Sequence, residues 1–247
     1  MRHIKTYQIF EASSPALTPE QIDWLDECTA FTGAWEVNPQ TGLVDVNGSF
    51  YCSKQGLTDF RGVRFGVVKG DFFCDDNQLA SLEGAPQEDV ENFICEGNPL
   101  TSLKGAPKRV WLGFYCNDSQ LTSLEGAPLV VGASFYCNGN QLTSLEGAPQ
   151  SVGGSFNCSD NSLTSLEGLP EKIGGSFYCR RNPVSEITLG NLCDRMLSGR
   201  SWEKAVAVQW ADMDGDDRAL VAKHHPELTP EEKREYAALG RHKRRLI

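Results

Sequence analysis

The sequence predicts a mainly β fold: a solenoid of stacked coils with a parallel sheet and an extended convex side, a small helical N-terminal cap and a helical C-terminal segment. One observation behind this prediction is a cysteine that returns after 22 residues once and after 21 residues five times. Another is a shared unit, which reads F-x-C-x-x-N-x-L-T-S-L-E-G-A-P-x-x-V-G-G-S between Phe135 and Ser155. The recurring cysteines are Cys52, Cys74, Cys95, Cys116, Cys137, Cys158 and Cys179.

Within one coil, the alternation of a β-strand directs Phe135 and Cys137 inward and Tyr136 outward. The other inward positions of the coil are Leu142, Leu145 and Val152. A single coil cannot bury these side chains, so we expect stacked coils to share one continuous core.

In most coils an asparagine stands three residues after the cysteine. Its amide is expected to satisfy backbone groups in the bend of the chain. Gln55 and Ser119 replace it in two coils, which should be locally weaker. The asparagines are Asn77, Asn98, Asn140, Asn161 and Asn182.

The return half of each coil is too short for a full helix, and glycine and proline at Gly147, Pro149, Gly153 and Gly154 would interrupt one. The convex side is therefore predicted to be extended or polyproline-like.

The core Phe-x-Cys-x-x-Asn-x-Leu resembles the leucine-rich-repeat pattern L-x-L-x-x-N-x-L. The longer phrase Leu-Thr-Ser-Leu-Glu-Gly-Ala-Pro, followed by Val-Gly-Gly-Ser-Phe and Cys, resembles the leucine-rich-repeat proteins encoded by tailed bacteriophages. This resemblance covers roughly residues 1 to 183. It implies a solenoid fold and a phage source, and it implies no particular activity.

Residues 1 to 48 are interpreted as the N-terminal cap of a solenoid that spans residues 49 to 189. Thr18, Pro19 and Gln21 form a helix start with a capping box, so a helix is expected from about Pro19 to Thr29. Turn residues then lead to a predicted strand from Leu43 to Val46.

Residues 190 to 247 are interpreted as a helical segment that ends in a basic tail. Arg241, Lys243, Arg244 and Arg245 belong to this tail. The tail is expected either to be solvated or to contact an acidic partner or nucleic acid.

The net charge of −10 argues against nucleic-acid binding over the whole surface. No apolar stretch is long enough to span a membrane, and the first ten residues do not resemble a signal peptide. These features predict a cytoplasmic protein without membrane contact, and the resemblance to phage proteins implies the host cytoplasm or a virion. The cysteines occupy an inward position, so we expect free structural thiols rather than disulfides, metal ligands or a cofactor site.

The outward strand position is aromatic in five coils, and exposed aromatic rows are typical of protein interfaces. Acidic residues follow several of the cysteines, which favours a basic or mixed protein surface as the partner. An alternative is that the rings stack on one another as cross-strand pairs. The aromatic candidates are Tyr51, Phe73, Tyr115, Tyr136 and Tyr178, and the acidic ones are Asp75, Asp76, Glu96, Asp118 and Asp160.

Catalysis is not expected, because all four histidines lie outside the repeats. Asp212, Asp214 and Asp216 resemble the start of a calcium-binding loop. That pattern fails where Asp217 replaces the required glycine and Lys223 replaces the required glutamate.

Together these observations predict a non-catalytic, phage-encoded protein-binding module whose tyrosine-rich sheet face docks a host factor or another phage protein. A structural role in a virion or larger assembly is one alternative. Contact with nucleic acid through the basic tail is another.

Overall fold

The computed structural model describes residues 17–29 and 33–183 of the 247-residue chain. The predicted C-terminal helical segment, the basic tail from Arg241 to Arg245 and the aspartate cluster around Asp214 lie outside the described residues.

The one helix in the described part of the chain, α1 (Pro19–Cys28), begins where the sequence predicts it. The Gln21 N–H donates to Thr18 Oγ1, and the Thr18 N–H donates to Gln21 Oε1, which completes the capping box. The helix buries Trp24, Leu25 and Cys28. The ring of Trp24 packs edge-on against Phe50, with 5.3 Å between ring centroids, so the helix contacts the first coil.

The other regular elements among residues 17–29 and 33–183 are short strands, which form three sheets. The strands are β1 (Trp35–Val37), β2 (Val44–Val46), β3 (Phe50–Tyr51), β4 (Phe65–Val68), β5 (Phe72–Phe73), β6 (Phe93–Ile94), β7 (Arg109–Val110), β8 (Phe114–Tyr115), β9 (Val130–Val131), β10 (Phe135–Tyr136), β11 (Ser151–Val152), β12 (Phe156–Asn157), β13 (Lys172–Ile173) and β14 (Phe177–Tyr178).

Two parallel sheets run along the solenoid. The first has seven strands in the order β14-β12-β10-β8-β6-β5-β3, and the second has four in the order β13-β11-β9-β7. Each strand pairs in register with its equivalent in the next coil, as Phe135 does with Phe114 and Phe156. A separate three-stranded sheet, in the order β1-β2-β4, precedes most of the repeats. The prediction of a mainly β solenoid with a parallel sheet is confirmed.

Stacked phenylalanines form the centre of the core. From Phe72 to Phe177 the six rings succeed one another at centroid separations of 5.3 to 6.1 Å, and each ring is fully buried. The predicted inward positions of Leu142, Leu145 and Val152 are also fully buried. All eight cysteines in the described part of the chain are buried and carry free thiols. The thiols of Cys116 and Cys158 donate to backbone carbonyls of the following coil.

The asparagine ladder joins one coil to the next as well as closing its own bend. Asn140 Nδ2 donates to the carbonyl oxygens of Cys116 and Cys137, each at 3.0 Å, and Asn140 Oδ1 accepts from the Leu121 N–H at 3.0 Å. The amide therefore holds two consecutive coils in register. Ser119, at the same position, donates instead to the carbonyl oxygen of Asn117 in its own coil.

The return half of the coil is extended, as predicted, and it also forms the second parallel sheet. The Gly153 N–H donates to Val131 O at 2.8 Å, and the Gly174 N–H donates to Val152 O at 2.9 Å. A Cβ atom at Gly153 would lie 2.1 Å from Gly132 O, so glycine allows these two coils to approach closely. The repeat glycines thus serve the packing of coil on coil.

Candidate functional site

The seven-stranded sheet brings the outward-facing strand residues into one row, because its strands pair in register. Tyr51 lies beside Phe73, and Tyr115 lies beside Tyr136. Asn157 lies beside Tyr178 at the end of the row. The five aromatic residues singled out in the sequence therefore belong to one surface, which we call the aromatic row: Tyr51, Phe73, Tyr115, Tyr136 and Tyr178.

The aromatic row is less exposed than a row of outward-facing rings suggests. Tyr51 is 43% exposed, whereas the other four aromatic residues are only partly exposed. Ile94, which lies in the row between Phe73 and Tyr115, is 9% exposed and counts with the core. The row is therefore a shallow, semi-buried surface rather than a line of projecting rings.

Contacts between neighbouring rings explain part of this burial. Tyr51 and Phe73 stack with 4.7 Å between centroids, and Tyr115 meets Tyr136 edge-to-face at 5.3 Å. The Tyr115 ring also lies directly over Gly113, where a Cβ atom would be 2.4 Å from ring carbon Cε2. Burial raises the pKa of the Tyr115 hydroxyl, with smaller contributions from Tyr136 and Glu96. These are the cross-strand pairs that the alternative interpretation predicted, and they leave only part of each ring available to a partner.

The predicted acidic residues lie beside the row, but three of them have a structural reason to be there. Asp76, Asp118 and Asp160 have φ values of 50°, 51° and 55°, so each occupies the left-handed region in the turn that follows its strand. Glycine takes the same position in other coils, at Gly97 and Gly139. Aspartate is one of the few other residue types that tolerate this conformation. Their presence is therefore explained in part by the turn itself.

Two of the acidic residues are neutralised by exposed cations. Lys54 Nζ lies 3.5 Å from Asp76 Oδ2, and Arg181 donates to Asp160 Oδ1 at 2.9 Å. Exposed pairs of this kind contribute little to stability, but they cancel local charge.

The remaining negative charge is concentrated at the middle of the row. Asp75 accepts a hydrogen bond from Ser53, and Asp118 accepts one from Asn117. Burial raises the pKa of Glu96, and the neighbouring charges of Asp75 and Asp118 raise it further, against a hydrogen bond from Asn117 that lowers it. A partner would therefore meet concentrated negative charge beside Ile94 and Tyr115.

Within residues 17–29 and 33–183, no group of three or more histidine, cysteine, aspartate and glutamate side chains is placed to hold a metal ion. A cavity of about 360 Å³ lies elsewhere, against β1, β2 and β4, and is lined by residues that include Trp35, Glu36, Asp45 and Lys69. None of the row residues lines that cavity.

A second exposed group of side chains was missed by the sequence analysis. Trp111, Leu112, Leu129 and Val130 are between 43% and 59% exposed, on the part of the coil that carries β7 and β9. The repeat unit contains the clue, because glycine, alanine or a polar residue stands at these positions in the following coils. A comparison of each coil with the shared unit would have found them.

Comparison with known proteins gives no relative: no protein-family model, no curated protein and no solved structure matches this chain. Among the described residues, no helix is long and apolar enough to cross a membrane.

Proposed function

We propose that this protein is a non-catalytic recognition module that docks a protein partner on the aromatic row. The observation that carries the proposal is the in-register alignment of Tyr51, Phe73, Tyr115, Tyr136 and Tyr178 on one face of the seven-stranded sheet. Tyrosine contributes a large apolar area and a hydroxyl group to an interface, and it is enriched among the residues that dominate binding energy.

The contacts within the row favour binding because they fix the rings before a partner arrives. Tyr115 is held by Tyr136 on one side and by the backbone of Gly113 beneath it. A side chain already held in one orientation loses little conformational entropy on association. The partial burial of the rings is therefore compatible with a binding role.

Charge indicates the kind of partner. Asp75, Glu96 and Asp118 place negative charge at the middle of the row, which favours a protein surface that is basic or of mixed charge. A phosphate backbone would be repelled at this face.

The proposal extends to origin and family. The repeat unit supports membership of the leucine-rich-repeat proteins of tailed bacteriophages, with a host factor or another phage protein as the partner. Residues 1 to 48 would cap the solenoid, and the packing of Trp24 against Phe50 supports this role.

The test is capture of partners from a candidate host lysate by tagged protein and by a variant with Tyr115→Asn and Tyr136→Asn. Asparagine is the residue that the next coil carries in the same row, at Asn157, so the variant should fold. Glu146→Lys is the matched control, because Lys104 occupies the equivalent position elsewhere in the repeats.

We expect a protein recovered by the wild type and by Glu146→Lys to be depleted at least tenfold in the tyrosine variant. If the tyrosine variant melts like the wild type and captures the same partners equally well, the assignment of this face is wrong. Recovery of virion proteins alone would favour a structural role in an assembly.

A further inference from the structure

Two asparagines in the described part of the chain are followed by glycine, and the structure holds them differently. They are Asn47, between β2 and β3, and Asn138, which follows Cys137 in its coil. Glycine after asparagine matters chemically, because its main-chain nitrogen can attack the asparagine side chain without interference from a Cβ atom. The attack closes a five-membered ring within the chain, so its rate depends on how readily the two groups approach.

Asn138 is held by hydrogen bonds on both reacting groups. Asn138 Oδ1 accepts from Asn157 Nδ2 at 3.2 Å. The Gly139 N–H donates to Ser159 O of the next coil at 3.1 Å. The side chain and the nitrogen would each have to leave a partner before they could react, and Asn138 is also partly buried. The stacking of the coils therefore protects this asparagine.

Asn47 lacks both restraints. It is exposed, and within residues 17–29 and 33–183 no hydrogen bond joins its side chain or the Gly48 N–H to another group. The contacts that hold this turn use other atoms. The Asn47 N–H donates to Ala34 O at 2.9 Å, and Gly48 O accepts from the Gly70 N–H at 3.0 Å. These contacts position the turn and leave the two reacting groups free.

The surroundings of Asn47 also admit water, which the reaction needs in its second step. Asn47 lines the cavity of about 360 Å³ beside β1, β2 and β4, together with Glu36, Asp45 and Lys69. An exposed side chain that borders a polar cavity is accessible to solvent from more than one side.

We propose that Asn47 is a site of spontaneous deamidation, whereas the fold protects Asn138. The Gly48 nitrogen loses its proton and bonds to Asn47 Cγ. The Cγ–Nδ2 bond breaks, and the amide nitrogen takes up a proton and leaves as ammonia, which gives a cyclic imide. Water then adds to one of the two imide carbonyls. Opening of one C–N bond gives aspartate, and opening of the other gives isoaspartate, in which the main chain runs through the side-chain carbon.

The isoaspartate product changes the junction between the three-stranded sheet and the first coil. Its main chain has an additional carbon atom between the Asn47 N–H, which bonds to Ala34, and Gly48 O, which bonds to Gly70. The two hydrogen bonds cannot both keep their present geometry, so the hairpin of β1 and β2 loosens against the solenoid. Either product also replaces a neutral amide with a carboxylate.

The test incubates the full chain in warm, mildly alkaline buffer and follows both sites by peptide mass spectrometry, which detects replacement of an amide NH2 by OH. A second sample is incubated in guanidinium chloride, where the fold no longer distinguishes two Asn-Gly sites. An isoaspartate-specific methyltransferase with a labelled methyl donor marks the isoaspartate product in each peptide. Asn47→Gln is the control variant, because glutamine cannot form the five-membered ring.

We expect Asn47 to deamidate in the native protein at least tenfold faster than Asn138, and within tenfold of its own rate in guanidinium chloride. The two rates should converge in the denaturant. The peptide that contains residue 47 should carry methyl label in the wild type and none in Asn47→Gln.

A native ratio of the two rates below tenfold would overturn the proposal, as would a native rate at Asn47 more than tenfold below its rate in the denaturant. A ratio that persisted in guanidinium chloride would overturn it as well, because local sequence rather than the fold would then set the rates.

Hydrogen exchange tests the structural consequence. Peptides from β1 and β2 should exchange faster in the isoaspartate fraction, separated by chromatography, than in the unmodified protein. Equal exchange in the two samples would overturn the loosening of the hairpin.

Discussion

Replacement of Asn140 by alanine tests the idea that the asparagine ladder holds the coils in register. The change removes the acceptor of the Leu121 N–H and the hydrogen bond made to Cys116 O. Cys137 O keeps a hydrogen bond from Asn161, so two buried backbone groups lose this partner. At roughly 1 to 3 kcal/mol for each unsatisfied buried group, Asn140→Ala should cost about 2 to 6 kcal/mol.

The assay combines urea denaturation with amide hydrogen exchange, because a repeat protein can open locally before it unfolds globally. Protection should fall most in the peptide that contains Leu121. The control is Gln141→Ala, an exposed neighbour, which should change the unfolding free energy by less than about 0.5 kcal/mol. An Asn140→Ala protein as stable as this control would refute the reasoning.

The coil that carries Ser119 lacks the asparagine of the ladder, so the opposite substitution can be tested there. Ser119→Asn should place an amide where the other coils carry one and stabilise the protein by about 0.5 to 1.5 kcal/mol, in line with the net contribution of a hydrogen bond. No stabilisation would show that the surrounding coil has adapted to serine.

Three further predictions concern charge, packing and thiol reactivity. Because the pKa of Glu96 is raised in the folded protein, its ionisation destabilises the fold as the pH rises above the ordinary value of 4.5. Glu96→Gln should therefore raise the urea midpoint at about pH 7.5 and lose this advantage below about pH 4; an equal effect at both values would contradict the assignment. Gly153→Ala should lower the melting temperature far more than Gly154→Ala, since a Cβ atom at Gly153 would lie 2.1 Å from Gly132 O, whereas one at Gly154 would lie 2.9 Å from its nearest neighbour, the carbonyl carbon of Ala133; similar melting curves would count against the packing argument. Burial raises the pKa of the Cys95 thiol and raises that of Cys28 to about 11, so peptide mass spectrometry should find both unmodified by iodoacetamide in the native protein and alkylated in urea. Rapid alkylation of the native protein would show that the core opens.

The period of the sequence was sufficient to predict the repeat and its inward side chains. Phe135, Cys137 and Leu142 are buried because strand alternation and a fixed 21-residue interval leave them no other consistent direction. The start of α1 was equally predictable, since the capping box of Thr18 and Gln21 is a local contact.

The second parallel sheet was predicted only as extended chain. Its hydrogen bonds join residues one coil apart, such as Gly153 and Val131, and no local pattern separates a paired from an unpaired extended segment. The aspartates beside the aromatic row were predicted as binding residues, but the positive φ of Asp76 and Asp118 shows that the turn also favours them.

The sequence by itself therefore determined the repeat, the identity of the core positions and the alignment of the aromatic residues, because a fixed period and in-register stacking turn one coil into the template for the next. Only the tertiary structure decided how much of each residue reaches solvent. Tyr115 is half-buried in part because Tyr136 of the next coil packs against it, and Trp111 is exposed because the neighbouring coil offers only Gly132 beside it. Exposure depends on neighbours that are distant in sequence, and these surfaces are where a partner would bind.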